Sequence, residues 1–378
     1  MKHLIGLFLI LTILQAPLQV AAMEYTVSAG SFYTRYESDE DDKGTQACAP
    51  VSLSAQGNEW AVNLSSSFRR SQAENDLGRD ETLSGLSDTT ARFTYERPGL
   101  FPFDLRFAMD VSLPTGKTGL SEQESSLFAD ADLFPFNAHG EGFAINPAVM
   151  AANSWGKWRA GVGAGYTLRG EYDLSEEVKQ YDPGDIFLLT GEAGYGFSDS
   201  LEAGLYLEYG FFGKDKQDGS AYYQEGDFLV SGANLTMRSP KWELLLNLEK
   251  ITRTGWIHED EILAVPDPAP SSATLKNRGD EIKAQAVYRR FLTGLSSVRG
   301  VVEISRLDKN GRKESDPLYF GERRKFRSGV SFAHAFSPVT EGELGVEMFL
   351  MDADKSYLHA TDRTYTGVTL GATLTRRF

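Results

Sequence analysis

Histidines and a serine are the residues best suited to catalytic or metal chemistry in this chain. His139, His258 and His359 fall in polar segments between extended runs, and their spacing does not match a zinc site. His334 lies on the apolar side of an alternating run, whereas Ser331 falls on the opposite side. A nucleophile and its base must lie within hydrogen-bond reach, so this pair argues against a Ser–His hydrolase.

Two acidic segments, residues 37–42 and residues 258–261, gather carboxylates that could bind Ca²⁺ or bridge to lipopolysaccharide. Charged runs of this length are also common in solvated loops, and we favour that interpretation. Three alternating glycines, Gly161, Gly163 and Gly165, do not form a phosphate-binding loop, because they lie within an extended run and no helix follows. We therefore expect no catalytic residue, no metal ligand and no cofactor.

Residues 1–22 have the pattern of a secretory signal peptide. A short basic start precedes the apolar run of residues 4–14, and Val20, Ala21 and Ala22 offer small residues for cleavage. This apolar run is too short for a membrane helix. The only cysteine, Cys48, lies well beyond the cleavage site and has no partner for an internal disulfide.

The composition excludes some classes of protein. The net charge is −15 and the sequence pI is about 4.9, whereas nucleic-acid binding requires a basic face. No segment after the signal peptide is apolar over the length that a membrane helix needs. If the mature chain enters a membrane, it must do so as a β-barrel, since lipid tolerates only helices and closed barrels.

The carboxy-terminal segment, residues 361–378, shows the period-two pattern of a β-strand. From residue 365 the odd positions are small or polar, and the even positions are mostly apolar and end at Phe378. A strand of this length with one apolar face fits the wall of a barrel in a bilayer. A terminal aromatic residue resembles the signal that ends bacterial outer-membrane barrels, so we expect Phe378 to serve in assembly.

The same alternation recurs along residues 23–378, with links that are alternately short and long. Strands are expected, for example, at residues 47–55, 228–238 and 242–253, with a long polar loop before Asp88. We count sixteen strands, or fourteen if the first two pair poorly. The sequence thus predicts an all-β fold, an antiparallel transmembrane β-barrel formed by residues 23–378 after the signal peptide of residues 1–22.

One side of the alternating strands carries acids and bases in similar numbers. On the lipid side such charges would cost about 2–4 kcal/mol each near the midplane, so we place them in the lumen. Cross-strand ion pairs that stiffen the wall and a polar conduit that selects solutes are both compatible with this pattern. The lumen-facing candidates are Arg106, Asp110, Arg159, Gly161, Gly163, Gly165, Arg169, Glu192, Glu202, Glu208, Glu303, Arg327 and Glu347.

The inward glycines at 161, 163 and 165 mark either a bend of the strand or a place of close approach. The longest link, residues 113–142, could fold inward and rest on them. This link and its end contain five large apolar side chains that could be buried there: Phe128, Leu133, Phe134, Phe136 and Phe143.

Residues 110–117, Asp-Val-Ser-Leu-Pro-Thr-Gly-Lys, carry a resemblance to a known family. A strand that ends in Leu-Pro-Thr-Gly before a long polar loop resembles outer-membrane proteins associated with meta-pathway phenol degradation. The resemblance implies a transport channel for aromatic and other hydrophobic compounds. Unlike the fatty-acid channels of the outer membrane, the chain shows no amino-terminal plug before its first strand.

These patterns predict a passive outer-membrane channel for small solutes in a Gram-negative bacterium, with aromatic or hydrophobic compounds as candidate solutes. The alternatives are a structural or surface-binding barrel with a closed lumen and, more remotely, an outer-membrane lipid hydrolase. The expected partners are outer-membrane lipid and lipopolysaccharide, the barrel-insertion machinery and a small-molecule solute, with no nucleic acid. Residues 113–142 either leave the lumen open or plug it.

Overall fold

The computed structural model describes residues 23–74, 80–99, 103–121, 124, 132–136, 139–255, 257–258, 278–316, 319–356 and 359–378. Twenty-one strands lie within them. The first ten are β1 (Glu24–Ser38), β2 (Lys43–Gln56), β3 (Trp60–Glu74), β4 (Asp80–Leu86), β5 (Thr89–Arg97), β6 (Asp104–Leu113), β7 (Ala144–Trp155), β8 (Trp158–Arg169), β9 (Tyr181–Asp182) and β10 (Ile186–Ser198). The others are β11 (Leu201–Phe212), β12 (Asp215–Gln217), β13 (Ser220–Gln224), β14 (Phe228–Ser239), β15 (Trp242–Arg253), β16 (Ile257–His258), β17 (Glu281–Phe291), β18 (Ser296–Leu307), β19 (Arg323–Ser337), β20 (Thr340–Ala353) and β21 (Arg363–Arg377).

Seventeen of these strands form one antiparallel sheet that closes on itself. Strands β4 and β5 both pair with β3, one with its second half and the other with its first half, so they make a single interrupted wall strand. Strand β21 closes the barrel against β1, from Thr26 opposite Arg377 to Ser38 opposite Tyr365. The predicted sixteen-strand antiparallel barrel is confirmed.

Alternation along the strands separates an apolar outer face from a polar inner face. On β11, the outward side chains of Leu205 and Leu207 are 63% and 55% exposed. Glu202 and Glu208, at the alternate inward positions, are partly buried. Outward side chains of the closing strands, such as Leu344 and Leu370, are also well exposed. A belt of exposed aliphatic side chains is stable when lipid covers it, as in transmembrane barrels. In the described part of the chain, no helix is both long and apolar enough to cross a bilayer.

The two ends of the barrel differ in their connections. At the end that holds residue 23 and Phe378, tight turns join neighbouring strands, as between β7 and β8. At the other end long connections leave the wall, and β9, β12, β13 and β16 form a small four-stranded sheet there. An even number of strands places both termini on one side, as in single-chain bacterial barrels.

Some wall strands are longer than the sequence predicts. Strand β2 begins at Lys43 rather than near residue 47, and residues 70–88, expected to be a loop, contain the end of β3 and all of β4. Hydrogen bonds to neighbouring strands hold these extensions. Beyond the apolar belt both faces of a strand can be polar, so the alternation that reveals a strand disappears there although the pairing continues.

Candidate functional site

The lumen wall contains several ion pairs between neighbouring strands. Arg92 donates two hydrogen bonds of 2.7 Å to Asp110 across β5 and β6, and Arg106 pairs with Glu96 in the same ladder. Such directly opposed pairs stabilise a sheet modestly, by about 0.2–1 kcal/mol each. The ladder therefore stiffens this wall and neutralises its charges.

Other predicted lumen residues belong to larger charge groups. Arg159 on β8 pairs with Glu202 on β11. Arg327 on β19 lies between Glu303 and Glu347, at 2.9 and 3.4 Å.

Arg169 lies at the long-connection end of β8. Its Nε donates to the carbonyl oxygen of Gly184 at 2.6 Å, and its guanidinium is 3.6 Å from the carboxylate of Asp215. This arginine therefore holds the base of the connection that follows β8.

Two inward acids, Glu192 and Glu208, line a cavity of about 560 Å³ beside Tyr206 and Gly161. Within the described residues, neither carboxylate has an ion-pair partner. This side of the lumen therefore presents uncompensated negative charge to the aqueous space, in contrast to the paired ladders.

The three inward glycines of β8 lie beneath side chains of the neighbouring strands. A Cβ at Gly161 would lie 3.1 Å from Glu192 Oε1, one at Gly163 would lie 2.6 Å from Thr190 Oγ1, and one at Gly165 would lie 3.2 Å from Asn146 Oδ1. The expectation that residues 113–142 rest on this surface is wrong for the described part of that link. These glycines instead accommodate side chains from β7 and β10 and leave the cavity in front of them open.

Residues 132–136 of the link do enter the lumen, but they pack against the opposite wall. Gln46, an inward residue of β2 that is 2% exposed, holds the backbone of Phe136 through both ends of its amide. Its Nε2 donates to the carbonyl oxygen of Phe136 at 2.6 Å, and the Phe136 amide donates to Gln46 Oε1 at 3.1 Å. We call residues 132–136 the inserted segment.

Aromatic and aliphatic packing reinforces this attachment. Leu133 and Phe134 are 5% and 4% exposed and belong to one cluster with inward side chains of β1, β20 and β21. The ring of Phe134 meets Tyr36 edge-on at 5.2 Å, and Phe136 lies 5.5 Å from Phe32. Burial of such side chains contributes about 1.5–3 kcal/mol each, so the inserted segment is held firmly against this wall. Phe143 is 44% exposed, and Phe128 lies outside the described residues.

An ionic cluster holds the start of the inserted segment. The carboxylate of Asp132 lies 2.8 Å from the guanidinium of Arg323 and 3.3 Å from that of Arg278. The ammonium group of Lys325 donates a hydrogen bond to the backbone carbonyl oxygen of Asp132. Burial alone would raise the pKa of Asp132, but the two guanidiniums together with Lys325 hold it below the ordinary value. The carboxylate therefore stays charged and keeps the segment attached to β19.

The ends of the link meet at the break between β4 and β5. The carboxylate of Asp88 accepts hydrogen bonds from the amides of Gly116 and Glu141, at 2.8 and 2.7 Å. A Cβ at Gly116 would lie 2.5 Å from the carbonyl oxygen of His139, so only glycine permits this approach. The Leu-Pro-Thr-Gly-Lys motif thus forms one side of the base of the link.

His139 is buried at this base, with 4% of its surface exposed. Burial, followed by the nearby charges of Arg69 and Lys117, lowers its pKa to about 4, although Glu124 opposes the shift. The imidazole is therefore neutral in the folded protein at physiological pH.

In the described residues His334 contacts a serine, but not the serine that the sequence suggested. Ser296 Oγ and His334 Nδ1 lie 2.8 Å apart on the outer face, beside the rings of Phe332 and Phe336. Within the described residues, His334 has no carboxylate partner that would orient it as a base. In the same part of the chain, no group of three His, Cys, Asp or Glu side chains is arranged to hold a metal ion.

Phe378 extends the pairing between the last and first strands of the barrel. The Phe378 amide donates to the carbonyl oxygen of Tyr25 at 2.8 Å, and Arg376 lies 4.9 Å above the Phe378 ring. The ring is 39% exposed. Its role as an assembly signal stays a prediction.

Sequence reasoning missed Gln46, Asp88 and Asp132, which hold the link in place. A single amide or carboxylate has no periodic signature, and each of the three contacts a part of the chain that is remote in sequence. Only Asp88 offered a hint, because it follows a polar run and precedes a clear strand.

No family model and no curated protein matches the chain. Solved barrels are similar to it in overall shape. The monoaromatic hydrocarbon channel CymD has a TM-score of 0.46 at 10% identity, covering 95% of this chain and 90% of that chain. OccK7 (OpdD) of Pseudomonas aeruginosa has a TM-score of 0.45 at 11% sequence identity, and the match covers 94% of this chain and 100% of that chain. A bacterial polysaccharide outer membrane secretin has a TM-score of 0.46 at 7% sequence identity, and the match covers 94% of this chain and 98% of that chain.

Proposed function

We propose that the protein is a passive channel of the bacterial outer membrane through which small solutes diffuse. The observation that carries the proposal is a closed barrel with an apolar outer belt, whose polar lumen keeps open cavities although a segment is inserted into it. Those cavities measure about 560, 350 and 450 Å³. Barrels of sixteen strands leave an aqueous space that their own side chains do not fill.

Aromatic or hydrophobic compounds are the solute class that we propose for this channel. Support comes from the rings of Phe32 and Phe136, which face the lumen next to small and hydroxyl-bearing residues. CymD, which has a similar barrel shape, is described as a monoaromatic hydrocarbon channel. The phenol-degradation resemblance of residues 110–117 favours the same class.

The proposed environment follows from the same surfaces. The belt around Leu205 and Leu344 would contact outer-membrane lipid, and lipopolysaccharide would meet the polar strand extensions above it. Export would use the signal peptide of residues 1–22, which lies outside the described residues. Insertion would use the barrel-insertion machinery, with Phe378 as its recognition signal.

The test is a planar-bilayer recording of the purified, refolded protein. We expect discrete conductance steps in potassium chloride. A folded barrel that inserts but passes no current would instead support the alternative of a structural barrel with a closed lumen. Release of fatty acid from phospholipid, lost in Ser296→Ala, would favour the lipid hydrolase.

A further inference from the structure

A second cavity of about 350 Å³ is lined in part by residues of the inserted segment. Its lining includes the apolar residues Phe32, Pro135 and Phe136 and the charged residues Arg299 and Glu343. A volume of this size accepts one small organic molecule. The cavity therefore combines an apolar surface and charged groups in one enclosure.

One row of inward residues forms the floor of this cavity. Residue by residue across neighbouring strands, Arg299 is opposite Ser331, Ser331 opposite Gly345, Gly345 opposite Gly371, and Gly371 opposite Phe32. These four strand steps span about 19 Å of wall at about 4.8 Å each. The Phe32 ring lies over Gly371, and the two remaining residues, Ser331 and Gly345, are small, so a solute can lie over them between the ring and the arginine.

Arg299 is part of an unusual pair of like charges. It lies directly opposite Arg289 on the inward face of β17 and β18. Within the described residues, neither guanidinium has a carboxylate within ion-pair distance. Like charges directly opposite each other destabilise a sheet, and an arriving anion would relieve that repulsion.

The ends of the row differ in chemistry. The Phe32 and Phe136 rings, 5.5 Å apart and inclined at 52°, offer aromatic surface for a third ring. A guanidinium binds a carboxylate through two parallel hydrogen bonds. The wall on the far side of the lumen, with unpaired Glu192 and Glu208, would repel the same anion.

We propose that this cavity is a binding site for a small aromatic carboxylate, with the ring against Phe32 and Phe136 and the carboxylate at Arg299. The inference rests on the proposed channel function and specifies its solute class. Two acids also line the cavity. Glu347 is paired with Arg327 at 3.4 Å, so Glu343 is the acid that opposes an anion there.

The experiment is isothermal titration calorimetry of the refolded barrel in detergent, with 3-phenylpropanoate and its neutral amide as probes. We expect the acid to bind more tightly than the amide. Arg299→Gln should weaken binding of the acid about tenfold, the size of one charge-assisted hydrogen bond, and leave the amide unchanged. Phe32→Ala should weaken the binding of both probes, and Glu343→Gln should strengthen the binding of the acid alone.

Arg159→Gln is the matched control, because it also removes one positive charge from the lumen but on β8. Heat-modifiable migration in gels verifies that each variant is folded. The proposal is overturned if acid and amide bind alike, or if Arg159→Gln weakens the acid as much as Arg299→Gln does. Calorimetry does not depend on current, so a barrel that conducts without binding the acid refutes only this site. A barrel that binds the acid but passes no current refutes only the channel function.

Discussion

Two walls of the same lumen use small residues for different purposes. The glycine wall consists of β7, β8, β10 and β11, and the wall opposite it consists of β1, β2 and β19–β21. On the first wall, Gly161 and Gly163 make room for side chains of neighbouring strands. On the second, Gly371 makes room for the Phe32 ring, which contacts the inserted segment. An inward glycine therefore shows that something lies close, and its neighbours across the sheet decide what that is.

The walls also differ in how they treat charge. The wall that bears the inserted segment uses its bases, Arg323 and Lys325, to hold Asp132. The glycine wall leaves Glu192 and Glu208 facing the cavity. One wall thus uses its charges to hold the inserted segment, and the other presents unpaired carboxylates to the lumen.

The largest expected effect tests the assignment of faces on the glycine side. Leu205→Arg should lower the free energy of unfolding by about 2–4 kcal/mol, because it places a charge in the lipid belt. Glu208→Gln, which alters an inward residue of the same strand, should fold normally. Urea unfolding of both variants in lipid vesicles measures the difference, and equal damage would contradict the strand phase.

The next effect concerns the wall that carries the inserted segment. Gln46→Ala removes the amide that holds the Phe136 backbone, and an unsatisfied buried amide costs about 1–3 kcal/mol. Cys48, which is 3% exposed and lies opposite Phe32 on β2, can report the loosening. We expect faster thiol labelling of Cys48 in the Gln46 variant.

Thr190→Val on the glycine wall is the matched control for Gln46→Ala. It changes an inward side chain that does not touch the described part of the link, so labelling of Cys48 should keep the wild-type rate. Similar acceleration in both variants would mean that the thiol reports general loosening of the barrel.

One substitution made on both walls sharpens the comparison further. In Gly371→Trp the new side chain displaces the Phe32 ring, which a Cβ alone would approach to 2.8 Å, so Cys48 labelling should accelerate. In Gly163→Trp the indole enters the open side, so conductance should fall while Cys48 stays protected. The opposite pattern would place the inserted segment on the glycine wall.

The smallest effect is a pH dependence of the link. The pKa of His139 is about 4 in the folded protein against an ordinary 6.5. Because the unfolded link takes up this proton first, stability falls as pH decreases from 6.5 towards 4. Channel noise should therefore rise between pH 7 and pH 5, and His139→Gln should reduce that rise. Identical pH profiles would exclude this histidine as the cause.

The sequence predicts the barrel wall well because lipid imposes alternation on it. The expected strands at residues 228–238 and 242–253 agree with β14 and β15 to within a residue. The prediction from the sequence fails at residues 70–88, where β3 and β4 extend beyond the apolar belt. There the strands are held by backbone pairing, which leaves no trace in the pattern of side chains.

The sequence predicts the interior less completely. Alternation assigns inward positions such as Glu202, and the aromatic content of residues 113–142 suggests a link that folds inward. It cannot choose the wall, because the choice depends on Gln46 and Asp132, whose partners lie far away in the chain. Contacts between distant residues are set by the closed barrel and not by local periodicity.

The most direct test of the central claim is the single-channel conductance of a barrel that lacks residues 121–138, recorded beside the full chain. We infer that the inserted segment narrows one side of the lumen, so its removal should raise conductance about twofold or more, since the wall alone leaves an open channel at this strand number. Unchanged conductance in a properly folded deletion variant would show that residues 121–138 do not narrow the passage.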